Sequence, residues 1–154
     1  MQKLDQIRNK HPRLIREYEE ALLERAQYEQ IRSPQEIGML LLAKGMGELF
    51  QEELWVMSLN TKNFVVDINK LYKGTVNSSQ VRNSEIFRTP IVLNAPAFIV
   101  AHNHPSGDVT PSIDDLQTTR NLREAAKLLD IDFLDHIIVA KGQYYSLREK
   151  GHMG

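Results

Sequence analysis

The spacing of apolar and polar residues along the chain predicts helices in its first quarter. Apolar residues recur at helical spacing over residues 12–31, with charged residues between them, which predicts an amphipathic helix. Ser33, Pro34 and Glu36 then form the capping-box start of a second helix, with proline at the first helical position, that runs through about Ala43.

Short apolar runs bounded by turn residues predict five strands, at residues 54–59, 64–72, 97–101, 133–140 and 143–147. The first two and the last two should form hairpins, because only a few turn-like residues separate them. A loop is predicted over residues 74–83, and a long helix over residues 113–129. A helix over residues 84–93 should break at Pro90, because an interior proline costs about 3 kcal/mol.

Helices and strands therefore alternate without regular βαβ order, which predicts an α+β (mixed α/β) domain. The 154 residues suffice for one core without disulfides, and the shares of apolar (42%) and charged (25%) residues are those of an ordinary globular protein. No apolar run approaches the roughly 20 residues that span a bilayer. The first residues lack the apolar stretch of a secretory signal, so we expect no membrane segment and a cytoplasmic location.

Charge and cysteine content limit the partners that the protein can bind and the residue types that a metal site can use. Lys and Arg total 19 against 20 Asp and Glu, a formal charge of −1, whereas nucleic-acid binders usually carry a basic excess, so nucleic acid is not the expected partner. The chain has no cysteine, so a transition-metal site must use His, Asp or Glu.

Three such residues surround one polar loop. His102 and His104 follow an apolar strand, and residues two apart on an extended chain point to the same side. A turn at residues 105–107 would bring Asp115, at the start of the next helix, close to both imidazoles. Two His and one carboxylate leave one position open on tetrahedral zinc, as in catalytic sites. The alternative is that Ser112 and Asp115 only cap the helix, and that the histidines only stabilise a turn.

The segment HNHPSGDVTPSIDD favours the metal site, because it resembles the His-x-His-Pro-(x)6-Ser-x-x-Asp signature of JAMM metalloproteases in the form found in RadC-like proteins. The phrases GTVNSS, EIF, LDHIIV and YYSLRE add to the resemblance, which covers roughly residues 33–149. It implies a JAB/MPN-like (cytidine deaminase-like) mixed sheet flanked by helices. We therefore predict a RadC-like domain at residues 33–154, preceded by a helical extension at residues 1–32.

The resemblance also implies roles for individual residues. His102, His104 and Asp115 correspond to the ligands of one Zn²⁺ per chain, and Ser112 corresponds to the residue that helps to hold the tetrahedral oxyanion. The general acid and base corresponds to Glu52, with Glu53 as the neighbouring alternative. Residues 82–85 read RNSE where many relatives have His-Pro-Arg-Glu, and the helix-hairpin-helix segment of longer RadC-like proteins is not found.

Three functions follow from these residues. The first is a zinc-dependent metallopeptidase or isopeptidase acting on a peptide or protein. The second, suggested by the historical RadC label, is a DNA-repair protein or metal-dependent nuclease, which the balanced charge disfavours. The third is a non-catalytic MPN-like scaffold, although such relatives typically lose the ligands that this chain keeps. His136, Trp55 and Phe98 are interpreted as core residues without a role in the site.

Overall fold

The computed structural model describes residues 30–74 and 80–154. The helix predicted over residues 12–31, and with it nearly all of the predicted extension, lies outside these ranges. Its last two residues contradict the prediction: Gln30 forms an isolated bridge with Phe64, and Ile31 is in irregular structure. The backbone N–H of Ile31 donates to the carbonyl of Asn63 at 2.8 Å, so this segment is tied to a turn of the sheet and cannot continue a helix.

Three α-helices and five strands make up the described ranges. In chain order they are α1 (Pro34–Ala43), a 3₁₀ turn (Met46–Glu48), β1 (Glu53–Leu59), β2 (Val65–Lys73), α2 (Asn83–Val92), β3 (Ala97–Asn103), α3 (Ile113–Leu129), β4 (Asp132–Ala140) and β5 (Gln143–Ser146).

The strands form one mixed sheet in the order β2-β1-β3-β4-β5. Both predicted hairpins are present, because β1 pairs antiparallel with β2 and β4 pairs antiparallel with β5. Strand β3 is central, antiparallel to β1 and parallel to β4, and α3 is the crossover between the two parallel strands. The α+β class predicted from the sequence is confirmed.

Alternate residues of the central strands pack against different helices, as the pleat of a strand requires. On one face, the apolar side chains of β1 and β3 form a core with α1; its members in β1 are Trp55, Met57 and Leu59. On the other face, Leu54 and Val56 pack with α2 and α3. The molecule is therefore a three-layer structure, and the two faces of β1 are in different chemical surroundings.

Helix α2 does not break at Pro90, contrary to the prediction. The proline lies in the last turn, so the only helical hydrogen bond lost is the one to the carbonyl of Ile86, and the helix ends two residues later at Val92. The proline ring is buried in the core, which offsets part of its cost.

Within the described ranges, no helix is both long and apolar enough to cross a bilayer.

Candidate metal centre

The two predicted histidine ligands lie where the central strand ends. Strand β3 continues two residues further than predicted, so His102 is a strand residue paired with Leu54 and Ile138, and only 2% of it is exposed. His104 follows the strand, and its backbone N–H donates to the carbonyl of Val139 at 2.8 Å. Both imidazoles therefore lie on one side of the chain, with their Nε2 atoms 3.0 Å apart.

Asp115 reaches the histidines from the first turn of α3. One carboxylate oxygen lies 3.1 Å from Nε2 of His102 and the other lies 3.2 Å from Nε2 of His104. The same residue forms a complete capping box with Ser112: the Asp115 N–H donates to Oγ of Ser112, and the Ser112 N–H donates to the Asp115 carboxylate. The helix cap and the metal-ligand arrangement, which the sequence presented as alternatives, are both formed.

The spacing of the three side chains suits a small tetrahedral ion. With zinc bonds of 2.0–2.1 Å, two ligands of a tetrahedral site lie about 3.3 Å apart. The observed separations of 3.0–3.2 Å between nitrogen and oxygen atoms of His102, His104 and Asp115 are close to that value. Within the part of the chain that the structure describes, this is the group of His and acidic residues close enough together to hold a metal ion.

Hydrogen bonds to the other ring nitrogens set the orientation and tautomer of both histidines. Nδ1 of His104 lies 2.7 Å from the carbonyl oxygen of Asp108, which can only accept, so this nitrogen carries the proton. Nε2 of a neutral His104 therefore has its lone pair directed at the candidate metal position. Fixing a ligating histidine through its second nitrogen is typical of metal sites in proteins.

The tautomer of His102 is set by hydrogen bonds that run through His136 and Thr119. The hydroxyl of Thr119 donates to the backbone carbonyl of Asp115 at 2.8 Å, so its oxygen accepts from Nδ1 of His136 at 2.7 Å. A neutral His136 then has no proton on Nε2, which accepts from Nδ1 of His102 at 2.8 Å. The lone pair of His102 is thereby left on Nε2, beside His104 and Asp115.

Burial and hydrogen bonding favour a neutral His136 and a negatively charged Asp115. Burial lowers the pKa of His136 to about 3, so its ring is neutral at physiological pH. Burial would raise the pKa of Asp115, but hydrogen bonds with His102 and His104 outweigh it and hold that pKa far below its usual range. The hydrogen bond with Asp115 in turn raises the pKa of His104, and burial opposes that increase. The hydrogen bonds to Asp115 use a proton on Nε2, and a metal ion held by His102, His104 and Asp115 would take the place of that proton.

Comparison with known proteins agrees with the fold and the motif. The family model described as "RadC-like JAB domain" matches residues 31–152. The chain belongs to this RadC-like JAB domain family. A UPF0758 protein of Chloroflexus aggregans is 49% identical over 121 residues, and one of Staphylococcus haemolyticus is 46% identical over 122 residues. These alignments cover 79% of this chain but only 52% and 53% of the relatives, so the chain spans about half the length of the curated relatives it matches.

Membership of the RadC-like JAB family confirms the JAB/MPN-like fold expected from the motif. It does not test the roles of individual residues, which remain predictions.

Of the two adjacent carboxylates at the start of β1, Glu53 is the first residue of the strand and lies on the face opposite His102. The indole N–H of Trp55 donates to the Glu53 carboxylate at 3.2 Å, so this side chain lies on the α1 side of the sheet. Glu52 is half-buried, and its charge adds to the raised pKa of His104, whose largest cause is the hydrogen bond with Asp115. Ser112 is the exposed N-cap residue of α3, and its Oγ accepts the capping bond from the Asp115 N–H.

Sequence reasoning missed the part that His136 and Thr119 play in orienting His102. His136 is a buried, hydrogen-bonded core histidine, as expected, but its partner is a candidate ligand. Periodicity places His136 in a strand, but the parallel register that pairs it with Val100, on the same face as His102, is not encoded in any local pattern.

Proposed function

We propose that this RadC-like JAB domain is a zinc-dependent metallopeptidase or isopeptidase. The observation that carries the proposal is the convergence of His102 Nε2, His104 Nε2 and the Asp115 carboxylate, at separations of 3.0–3.2 Å, with the hydrogen bonds that leave both nitrogen lone pairs directed at one point. Three protein ligands leave a coordination position for a reactant, which is the pattern of catalytic zinc sites.

Zinc bound there would supply hydroxide at neutral pH, because it lowers the pKa of water to about 7. Glu52 is the proposed general base and acid: it accepts a proton from the attacking water and returns it to the leaving amine. The hydroxyl of Ser112 accepts from the Asp115 N–H and keeps its own proton for the oxyanion that develops on the substrate carbonyl.

The first test measures metal and activity in the same preparations. Purified protein should hold about one zinc per chain after dialysis, and it should cleave members of a library that presents both peptide and lysine-isopeptide bonds. A chelator should abolish cleavage, and added zinc should restore it. His104→Ala should remove both zinc and activity. The control is His152→Ala, which should keep both, because the His152 ring contacts the Tyr145 hydroxyl and not the metal centre.

Two results would contradict the proposal. Cleavage that persists in the zinc-free protein would show that the metal centre is not the reacting site. A zinc-loaded protein that cleaves no peptide or isopeptide bond of the library would exclude the amide hydrolase function.

A further inference from the structure

Asn103, between the two histidine ligands, is buried and has both ends of its amide occupied. Its Oδ1 accepts from the backbone N–H of Glu53 at 2.7 Å, and its Nδ2 donates to the backbone carbonyl of Gln51 at 3.0 Å. Only 2% of the residue is exposed. One side chain therefore binds the main chain immediately before and immediately after Glu52.

This clamp lies where the regular pairing of two strands ends. The last paired residues of β1 and β3 are Leu54 and His102, so no β3 backbone partner remains for the residues that precede Leu54. On the other side, the carbonyl of Glu52 accepts from the N–H of Gly74 at 2.8 Å. The main chain at Glu52 is thus hydrogen-bonded from both neighbouring strands. On the β3 side, the Asn103 side chain makes the bonds that backbone groups make elsewhere between β1 and β3.

We propose that Asn103 is a positioning residue for Glu52. It fixes the main chain that carries the general base to the same short segment that carries the two histidine ligands. The inference rests on the proposed hydrolase function. Because His102 and His104 flank Asn103 in the chain, the two hydrogen bonds of Asn103 couple the main chain at Glu52 directly to the segment that carries both histidine ligands.

His102 and Asn103 are adjacent in the chain, and their side chains lie on opposite faces of β3. The β alternation puts His102 and Asn103 on opposite faces, so the imidazole is directed at the metal position while the amide extends towards β1. A carboxylate that must take a proton from water needs to lie within about 3 Å of it, and a 1 Å misplacement of a reacting group can cost on the order of 10²-fold in rate. Loss of the clamp should therefore slow turnover without removing a ligand.

The test is a double-mutant cycle between Asn103→Ala and Glu52→Gln on the zinc-loaded protein. Asn103→Ala should retain zinc and lower kcat by roughly 10- to 100-fold, part of the general-base contribution of about 10²- to 10⁴-fold. In the Glu52→Gln background the same change should have little further effect, because residues acting as one unit are not additive. The amide proton of Glu53 should exchange faster with solvent in Asn103→Ala, a readout that needs no substrate.

Asn60→Ala is the matched control. The Asn60 side chain also holds main chain, accepting from the N–H groups of Lys62 and Phe64, but it lies in the turn at the other end of β1. It should leave kcat and exchange at Glu53 unchanged. If Asn103→Ala does not melt cooperatively, Asn103→Ser takes its place in the cycle, because the uncharged serine side chain fills part of the space but is too short to bond both the Glu53 N–H and the Gln51 carbonyl.

The outcomes separate this proposal from the one on which it rests. A wild-type protein without amide hydrolase activity overturns the proposed function, and the positioning role fails with it. If the wild type is active and Asn103→Ala slows turnover by the same factor with and without the Glu52→Gln change, only the positioning role is overturned. The same holds for an Asn103→Ala protein that loses zinc, because the residue would then act on the ligands.

Discussion

Nε2 of His136 lies 2.8 Å from Nδ1 of His102, which makes a fully buried neutral histidine the acceptor for a candidate metal ligand. The orientation of His136 depends in turn on the hydroxyl of Thr119, which accepts from Nδ1 of His136 and donates to the carbonyl of Asp115. A residue two side chains away from the metal position thus determines which nitrogen of His102 faces it.

Thr119→Val should weaken zinc binding, because valine has the same shape but cannot accept the His136 proton. Changes to the hydrogen-bond partners of metal ligands typically cost about 10- to 100-fold in affinity, so a loss of that order is expected in competition with a chromophoric chelator. Thr119→Ser should recover most of the affinity. The control is Thr89→Val, which should leave zinc affinity unchanged, because the Thr89 hydroxyl accepts from Asn69 and is not part of the metal centre. Equal affinities for wild type and Thr119→Val would refute the relay.

Asp115 and Ser112 should differ in what their replacement removes. Ser112→Ala loses the helix cap and should lower the free energy of unfolding of the zinc-free protein by about 1 kcal/mol in urea, while zinc is retained. Asp115→Asn keeps an oxygen for the Ser112 N–H but loses the negative charge, so zinc should be lost with a smaller change in stability. If Asp115→Asn held zinc as tightly as wild type, Asp115 would be only a capping residue.

Glu52→Gln should keep zinc and lose most of the turnover, about 10²- to 10⁴-fold, because a general base that does not hold the metal can be neutralised without emptying the site. Glu53→Gln should have a much smaller effect on rate, since its carboxylate accepts from Trp55 on the other face of the sheet. Both are measured as kcat on a substrate found by screening, with zinc content determined alongside. An inactive Glu53→Gln protein with an active Glu52→Gln protein would reverse the two roles.

Asp135 should make the stability of the zinc-free protein depend on pH. Burial raises the pKa of this carboxyl above the ordinary aspartate value, and hydrogen bonds from Ser146, Arg148 and the His136 backbone oppose the increase only in part. The folded state therefore keeps a proton that the unfolded state releases, and the contribution of Asp135 to stability falls as the pH rises through the folded-state pKa. The side chain introduced by Asp135→Asn cannot titrate. The difference in free energy of unfolding between wild type and Asp135→Asn, measured in urea, should therefore shrink as the pH rises. A constant deficit would contradict the raised pKa.

The convergence of the candidate metal ligands and most strand positions could be predicted from the sequence, because both depend on local spacing and, for the ligands, on the motif that resembles the JAMM signature. His102 and His104 are two residues apart on an extended chain, and Asp115 lies at a helix start with a recognisable cap, so their convergence needed only one turn between them. The fold class followed from the irregular order of helical and strand patterns.

What could not be predicted depends on contacts between distant segments. The end of the first predicted helix was wrong at Ile31 because Asn63, far along the chain, binds its N–H. The break at Pro90 was wrong because burial and a position in the last turn decide the cost of a helical proline. The contact of Asn103 with the main chain around Glu52 and that of His136 with His102 depend on the register of β3 with β1 and β4. That register is a property of the assembled sheet.

The hydrogen bonds that hold His102, His104 and Asp115 join protein groups to one another, and two apolar cores hold the surrounding sheet. We therefore expect folding not to depend on a metal ion, unlike in zinc fingers, where the binding free energy is also the folding free energy. The zinc-free protein should melt cooperatively and take up zinc without refolding, which thermal unfolding before and after zinc addition would measure.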